Sequence, residues 1–417
     1  MSNFAQPEYS VSAQMSDIPM SVQSSDARRS IPASSQLVQV TSQSGPQYAN
    51  GLLLWNVAPA RNSFIKNGSA YVKFTLQVTN NAAAAAIACS GAQLSTSWGS
   101  LIQRMTIMAN SNVIEQIQYY NTYEQVIYEH ATTTGFYQND LKALAGATAT
   151  TSAVQGTYGT AVTVVVPLLS GVFNSVEHLD FPLGMLPGGL QIQLDLSSDS
   201  QGISSAGNAN CSFQISNAYF GYEKVTVSEE YMNALKGELA AQGQLYQMPF
   251  VSSLNMAVNT LATTDVVFGL GLTSLKSCLV TNVPSVSFAP RLQASNTLTV
   301  MRIYCDNELI NQFQVSDDVT AYLVLQSALG NLSSVTSNSA ASDFTIATYD
   351  TKYFATGVST NKFEERGLTL SGRHCAQLQV HLEMSAVPGG GSTTFIMSLF
   401  DGILAISPLS GEASIIR

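Results

Sequence analysis

Two stretches of this chain occur twice, in the same order. Ile107-Met-Ala-Asn-Ser-Asn-Val-Ile-Glu-Gln-Ile117 matches Ile303-Tyr-Cys-Asp-Asn-Glu-Leu-Ile-Asn-Gln-Phe313, an offset of 303 − 107 = 196 residues. Each copy reads as strand, polar turn (Asn110-Ser111 and Asp306-Asn307) and strand. At the same offset Asn121 falls on Asp317, so each hairpin is followed by an expected Asx-capped helix. Further on, Leu190-Gln-Ile-Gln-Leu-Asp-Leu-Ser197 matches Leu378-Gln-Val-His-Leu-Glu-Met-Ser385, an offset of 378 − 190 = 188 residues. Amphipathic strands resemble one another through alternation alone, so neither match decides anything singly. Two matches in one order, at offsets differing by 196 − 188 = 8 residues, are the mark of a duplicated domain of roughly 180 residues.

The alternation also sets the class. Val72, Phe74, Leu76 and Val78 alternate with Lys73, Thr75, Gln77 and Thr79, and a period of two puts each set on one face of a sheet. Leu190, Ile192, Leu194 and Leu196 behave alike, as do Leu378, Val380, Leu382 and Met384. Helices are few: one from Asn121, one opened by Ser228 and ending near Gly243, and one opened by Ser316-Asp-Asp and stopped by Gly330. Long Ser/Thr/Asn/Ala stretches, such as Asn80 to Trp98 and Ala145 to Thr160, read as functional or contact loops. Residues 1–47 are polar, and Arg28 and Arg29 are the arm's cations, so they read as a flexible arm. Sheet edges must be managed, and a double-sheet jelly roll does this. The expected fold is all-β with short inserted helices, as two tandem eight-stranded jelly rolls. The expected divisions are arm 1–47, first jelly roll 48–227, linker helix 228–243 and second jelly roll 244–417.

Composition removes whole classes of function. Lys+Arg number 17 and Asp+Glu 27, so only 11% of the 417 residues are charged and the net charge is −10. A nucleic-acid binder needs many cations to displace counterions, so no sequence-specific nucleic-acid partner is expected. The start MSNFAQPEYS lacks a basic and apolar leader pattern, so no secretory signal is expected. No apolar run approaches the roughly 20 residues of a spanning helix. Five cysteines without a CxxC pair read as five reduced, mostly buried thiols.

Several segments together resemble the double jelly-roll major capsid proteins of tailless icosahedral viruses. That family includes polinton-like viruses, virophages, adenovirus-type hexons and membrane-containing phages. The segments are Ser69-Ala-Tyr-Val-Lys-Phe74, Ser100-Leu-Ile-Gln-Arg-Met-Thr-Ile107, Tyr119-Tyr-Asn-Thr-Tyr123, Val166-Pro-Leu-Leu-Ser-Gly171 and Phe181-Pro-Leu-Gly-Met-Leu-Pro-Gly-Gly-Leu-Gln-Ile-Gln-Leu194. Their order and the duplication carry the resemblance, which covers roughly residues 50 to 407. It implies a non-enzymatic shell protein forming homotrimeric, pseudo-hexagonal capsomers that tile an icosahedral shell. It implies neighbouring capsomers, penton and minor capsid proteins as partners, and an internal membrane that the N-terminal arm could touch. It places the protein in the virion capsid, after synthesis and assembly inside the host cell.

The side chains offer no competing chemistry. A bicupin-like metalloenzyme needs clustered His ligands and a carboxylate inside the barrel. The nearest pattern is His374, His381 and Glu383, but the alternation gives Leu378, Val380, Leu382 and Met384 the core face, so His381 and Glu383 point outward. There is no phosphate loop around Gly269 or Gly389 and no GxSxG elbow. Glu364-Glu365-Arg366 beside Lys362 reads as a solvated cluster, and the sequons at Asn67, Asn210 and Asn331 as chance. No catalytic, cofactor-binding or metal residues are therefore assigned. A carbohydrate-binding or adhesin-type β-sandwich is the alternative; it would need exposed aromatic platforms, and only Trp55 and Trp98 exist.

Overall fold

The computed structural model describes residues 33–80, 92–95, 98–133, 140–144, 161–175, 178–205, 211–286, 292–310, 314–330, 344–360, 370–385 and 391–417. Asn210, Asn331, the Lys362 to Arg366 cluster, Gly389 and the 145–160 stretch lie outside these residues. The first half contains β1 (Ala33–Thr41), β2 (Gln47–Tyr48), β3 (Leu52–Val57), β4 (Ser63–Ile65), β5 (Tyr71–Asn80) and β6 (Ala92–Leu94). It continues with β7 (Ile102–Ala109), β8 (Asn112–Gln118), helix α1 (Tyr120–Ala131), β9 (Val162–Pro167), β10 (Leu190–Leu196), β11 (Ile203–Ser205) and β12 (Cys211–Val227). Helix α2 (Glu229–Ala241) follows. The second half contains β13 (Tyr246–Asn259), β14 (Thr263–Pro284), β15 (Leu298–Cys305), β16 (Glu308–Leu309), α3 (Asp318–Ala328) and α4 (Ile346–Lys352). It ends with β17 (Thr356–Ser359), β18 (Arg373–Met384), β19 (Ser392–Ile406) and β20 (Ala413–Ile416).

The two halves share one strand plan. In the first, one sheet runs β1-β12-β5-β9 and a second runs β3-β10-β7-β8. In the second half, β13-β19-β14-β17 repeats the first order and β14-β18-β15-β16 repeats the second. The difference is that β14 is continuous: residues 263–275 pair with β18, then 275–284 pair with β19. Register shifts near Gly269, Leu272 and Leu275 bend it from one sheet to the other. The repeated segments pair in the same register as well. Ile192 faces Ile107 as Val380 faces Ile303, and Leu194 faces Met105 as Leu382 faces Met301. The turn residues Asn110, Ser111, Asp306 and Asn307 all have positive φ, as a two-residue hairpin turn twisted like its strands requires.

Alternation explains which face each strand buries. Val72, Phe74, Leu76 and Val78 of β5, Leu190, Ile192, Leu194 and Leu196 of β10, and Leu378, Val380, Leu382 and Met384 of β18 all lie in the core. Each such side chain contributes about 1.5–3 kcal/mol by leaving water. The indole of Trp55 on β3 spans the core to donate to the Ala218 carbonyl on β12. Cap chemistry holds at Ser228 and Asp317, whose side chains accept from the Tyr231 and Thr320 amides. Gly330 takes a positive φ after α3.

The structure differs from the sequence expectation in three places. Residues 33–41, assigned to the flexible 1–47 arm, form β1 and pair over nine residues with β12. Polar Ser35, Gln36 and Gln39 fit an edge strand, which needs no apolar outer face. β1 thus adds a strand to the sheet of the first half. Asn121 does not cap α1: Tyr119 is the cap residue, in the left-handed region, and Asn121 is the buried second residue of the helix. There its amide donates to Gln103 Oε1 and Ser197 Oγ. Finally, Cys211 is disulfide-bonded, so five free thiols do not occur; Cys278, Cys305 and Cys375 are free.

Candidate functional site

The most elaborate polar site lies where the barrels meet. Glu115 on β8 is buried, and loss of solvent pushes its carboxyl above the usual carboxylate range. Four donors oppose that cost. Ser170 Oγ donates to Oε2, the Gly171 amide to Oε1 at 2.9 Å, the Val172 amide to Oε2 at 3.4 Å, and Ser252 Oγ of β13 to Oε1 at 2.7 Å. One carboxyl group therefore holds β8, the 170–172 turn and the second barrel. Asn255 extends the joint by donating to the Gln118 carbonyl at 2.7 Å, and Ser175 by donating to the Pro249 carbonyl at 2.8 Å. Asn112 donates to the Ala413 carbonyl at 3.2 Å, tying β8 to the C-terminal strand. Gly171 has no room for a side chain, because a Cβ there would stand 2.0 Å from the Val251 carbonyl oxygen.

Helix α1 gathers a second set of buried ionisable groups. Tyr120, Tyr123, Glu124, Tyr128, Glu129 and His130 are all buried. Burial pushes the Glu129 carboxyl up to about 8, with neighbouring Glu124 adding to the shift. It pushes the His130 imidazole down to about 4, against the opposing hydrogen bond to the Tyr353 carbonyl at 2.8 Å. Both groups are thus neutral when buried near pH 7, which suits a packed helix between the barrels.

The histidines considered as metal ligands do not converge. His381 lies on the outer face of β18, with Nε2 3.1 Å from Glu383 and Nδ1 3.6 Å from Asp265. His374, seven positions earlier along the same strand and so about 23 Å away in extended chain, pairs with Asp306 at 3.5 Å. His178 is near Asn67, with 3.4 Å between Nδ1 and Nδ2. Trp55 and Trp98 are both fully buried, so neither forms an exposed aromatic platform. The structure does bring together a group that sequence spacing did not reveal: Cys305, Asp306 and Cys375 offer ligand atoms within 4.8 Å of one another. They come from a hairpin turn and a strand start some 70 residues apart, brought together where β15 pairs with β18.

No family model and no curated protein sequence matches the chain. Solved structures do. A Faustovirus major capsid protein superposes with a TM-score of 0.64 at 11% identity, covering 97% of this chain and 95% of that one. The PBCV-1 virus capsid gives 0.59 at 11% identity, covering 94% and 98%. The mavirus major capsid protein gives 0.51 at 13% identity, covering 100% and 96%. The chain has the double jelly-roll fold of these capsid proteins, over essentially its whole length.

Proposed function

We propose that this chain is a non-enzymatic structural protein of a virion, the major capsid protein of a double jelly-roll virus. The observation that carries this reading is the repeated strand plan. Two barrels with the same sheet order and register stand side by side in one chain, and solved capsid proteins share that arrangement from end to end. A chain with two like barrels supplies six like lobes when three copies meet around an axis, which is how it would give a pseudo-hexagonal capsomer. The low charge fits lateral tiling, since few ions must be desolvated at each contact. The partners proposed are further copies of the chain in a homotrimer and its neighbours, penton and minor capsid proteins, and an internal membrane contacted through the N-terminal arm. The protein would be made and assembled in the host cell and reside in the capsid.

Light scattering on a sizing column tests the oligomer. Three chains of 44.4 kDa give about 133 kDa. A stable species of that mass, or larger shell-like material, supports the proposal. A clean monomer at micromolar concentration counts against it.

A further inference from the structure

We propose that Cys305, Cys375 and Asp306 form a site for a thiophilic divalent cation of the zinc class at the turn of the β15–β16 hairpin, with exposed His374 turning in as the fourth ligand. The two cysteines are fully buried, Cys375 standing three residues before Leu378, the register partner of Cys305, and both sulfurs lie within 4.8 Å of an Asp306 carboxylate oxygen. His374 stands beside that carboxylate, with Nδ1 3.5 Å from Oδ2. Zinc bond lengths of about 2.3 Å to sulfur and about 2.0–2.1 Å to nitrogen or oxygen set the ligand spacing. They place tetrahedral ligands about 3.7 Å apart for two sulfurs and about 3.4 Å for nitrogen and oxygen. The spacings among Cys305, Asp306 and Cys375 need a contraction of no more than about 1 Å to meet these values, and the His374 ring must swing toward the sulfurs to complete the set. The thiols face inward, while Asp306 and His374 lie at the surface, so a cation has an entry path.

Comparison of the two barrels separates the site from the frame it sits on. In the first barrel, the turn residue Asn110 accepts from the Gly188 amide at 2.7 Å. In the second, Asp306 at the equivalent position accepts from the Ala376 amide at 3.0 Å and the Gln377 amide at 2.8 Å. That clamp is common to both copies and needs only an amide or carboxyl oxygen. The offsets of 196 and 188 place Ala109 opposite Cys305, Leu186 opposite His374 and Pro187 opposite Cys375. All four coordinating groups are therefore peculiar to the second barrel, and three of them replace apolar residues. At present each thiol proton is held by a backbone carbonyl: Cys305 donates to His374 at 3.2 Å and Cys375 to Gln377 at 3.4 Å. On binding, each sulfur releases its proton to solvent as the sulfur–metal bond forms. The cation would fasten the edge hairpin to the start of β18.

The test uses the full chain, metal-free and anaerobic, titrated with Co²⁺. The expected result is one Co²⁺ per chain, with thiolate charge-transfer absorption in the near-ultraviolet and intense tetrahedral bands in the visible. One equivalent of Zn²⁺ should displace it. Cys375→Ala should abolish the charge-transfer signal of the site, with circular dichroism confirming the fold. His374→Ala, at an exposed position that leaves packing intact, should weaken binding at least tenfold. Absence of stoichiometric binding overturns the proposal, as does a thiolate spectrum that survives Cys375→Ala. Unchanged affinity in His374→Ala overturns the four-ligand set.

Discussion

Replacing Glu115 by alanine tests whether one carboxyl group joins the barrels. The change strands four donors in a buried place. The Ser170 and Ser252 hydroxyls can rotate to new acceptors, but the Gly171 and Val172 amides are fixed by the backbone. Each buried donor left without a partner costs about 1–3 kcal/mol, so two give about 2–6 kcal/mol. At about 2–4 °C per kcal/mol for domains near this size, the melting temperature should fall by at least about 4 °C. Glu115→Gln should cost less, because its carbonyl oxygen can still accept from Gly171 and Ser252. Ser252→Ala should cost least, near 1 kcal/mol, since the carboxyl keeps three donors. Calorimetry gives both the size and the shape of the effect. Loss of the joint should split one cooperative transition into two, as the barrels unfold separately. A Glu115→Ala protein that melts within 1 °C of the parent, in a single transition, would refute this account of the joint.

Further outcomes follow from particular positions. Gly171→Ala forces a Cβ onto the Val251 carbonyl and should destabilise the same joint by at least 2 kcal/mol in urea titration, whereas a neutral result would mean the turn can shift freely. Asn307→Val puts a β-branched residue at φ 66° and should cost about 1–2 kcal/mol, while Asp306→Asn, which copies the first barrel's turn, should be nearly neutral. Removing residues 1–41 deletes β1 and bares the β12 edge, so it should lower stability and solubility. His130 titrates near 4 when folded against about 6.5 unfolded. Its contribution is present above pH 6.5 and lost as pH falls toward 4, by at most about 3 kcal/mol; His130→Gln should flatten that limb of the stability profile. Glu129, raised to about 8, acts with the opposite sign. Its contribution is present below about pH 4.5 and lost as pH rises toward 8, and Glu129→Gln should remove that loss.

Much of the fold is legible because its physics is local. The runs at Leu190 and Leu378 show their buried faces directly, since a period of two admits one inward set. The turn pairs Asn110-Ser111 and Asp306-Asn307 are residues that tolerate positive φ, and they sit at the hairpin tips. Ser228 and Asp317 cap helices by bonds three residues away. What escaped depends on distant partners. β1 is polar and reads as an arm; it is a strand because β12 supplies its hydrogen bonds. Asn121 has the chemistry of a cap, but Gln103 and Ser197 draw it inside the helix. Glu115 shares its side of β8 with buried Ile117 and lies opposite buried Ile107, so what escaped is its set of partners, Ser170 and Ser252, which come from distant elements. The Cys305, Asp306 and Cys375 group has no sequence spacing at all, because a strand pairing assembles it.

Under the proposed function, two like barrels in one chain make a six-lobed unit when three copies meet. Class averages of the purified oligomer by electron microscopy test this most directly. The account predicts particles with three-fold symmetry and a hexagonal outline of six nearly equal lobes. Particles of two lobes only, or oligomers without a three-fold axis, would contradict it.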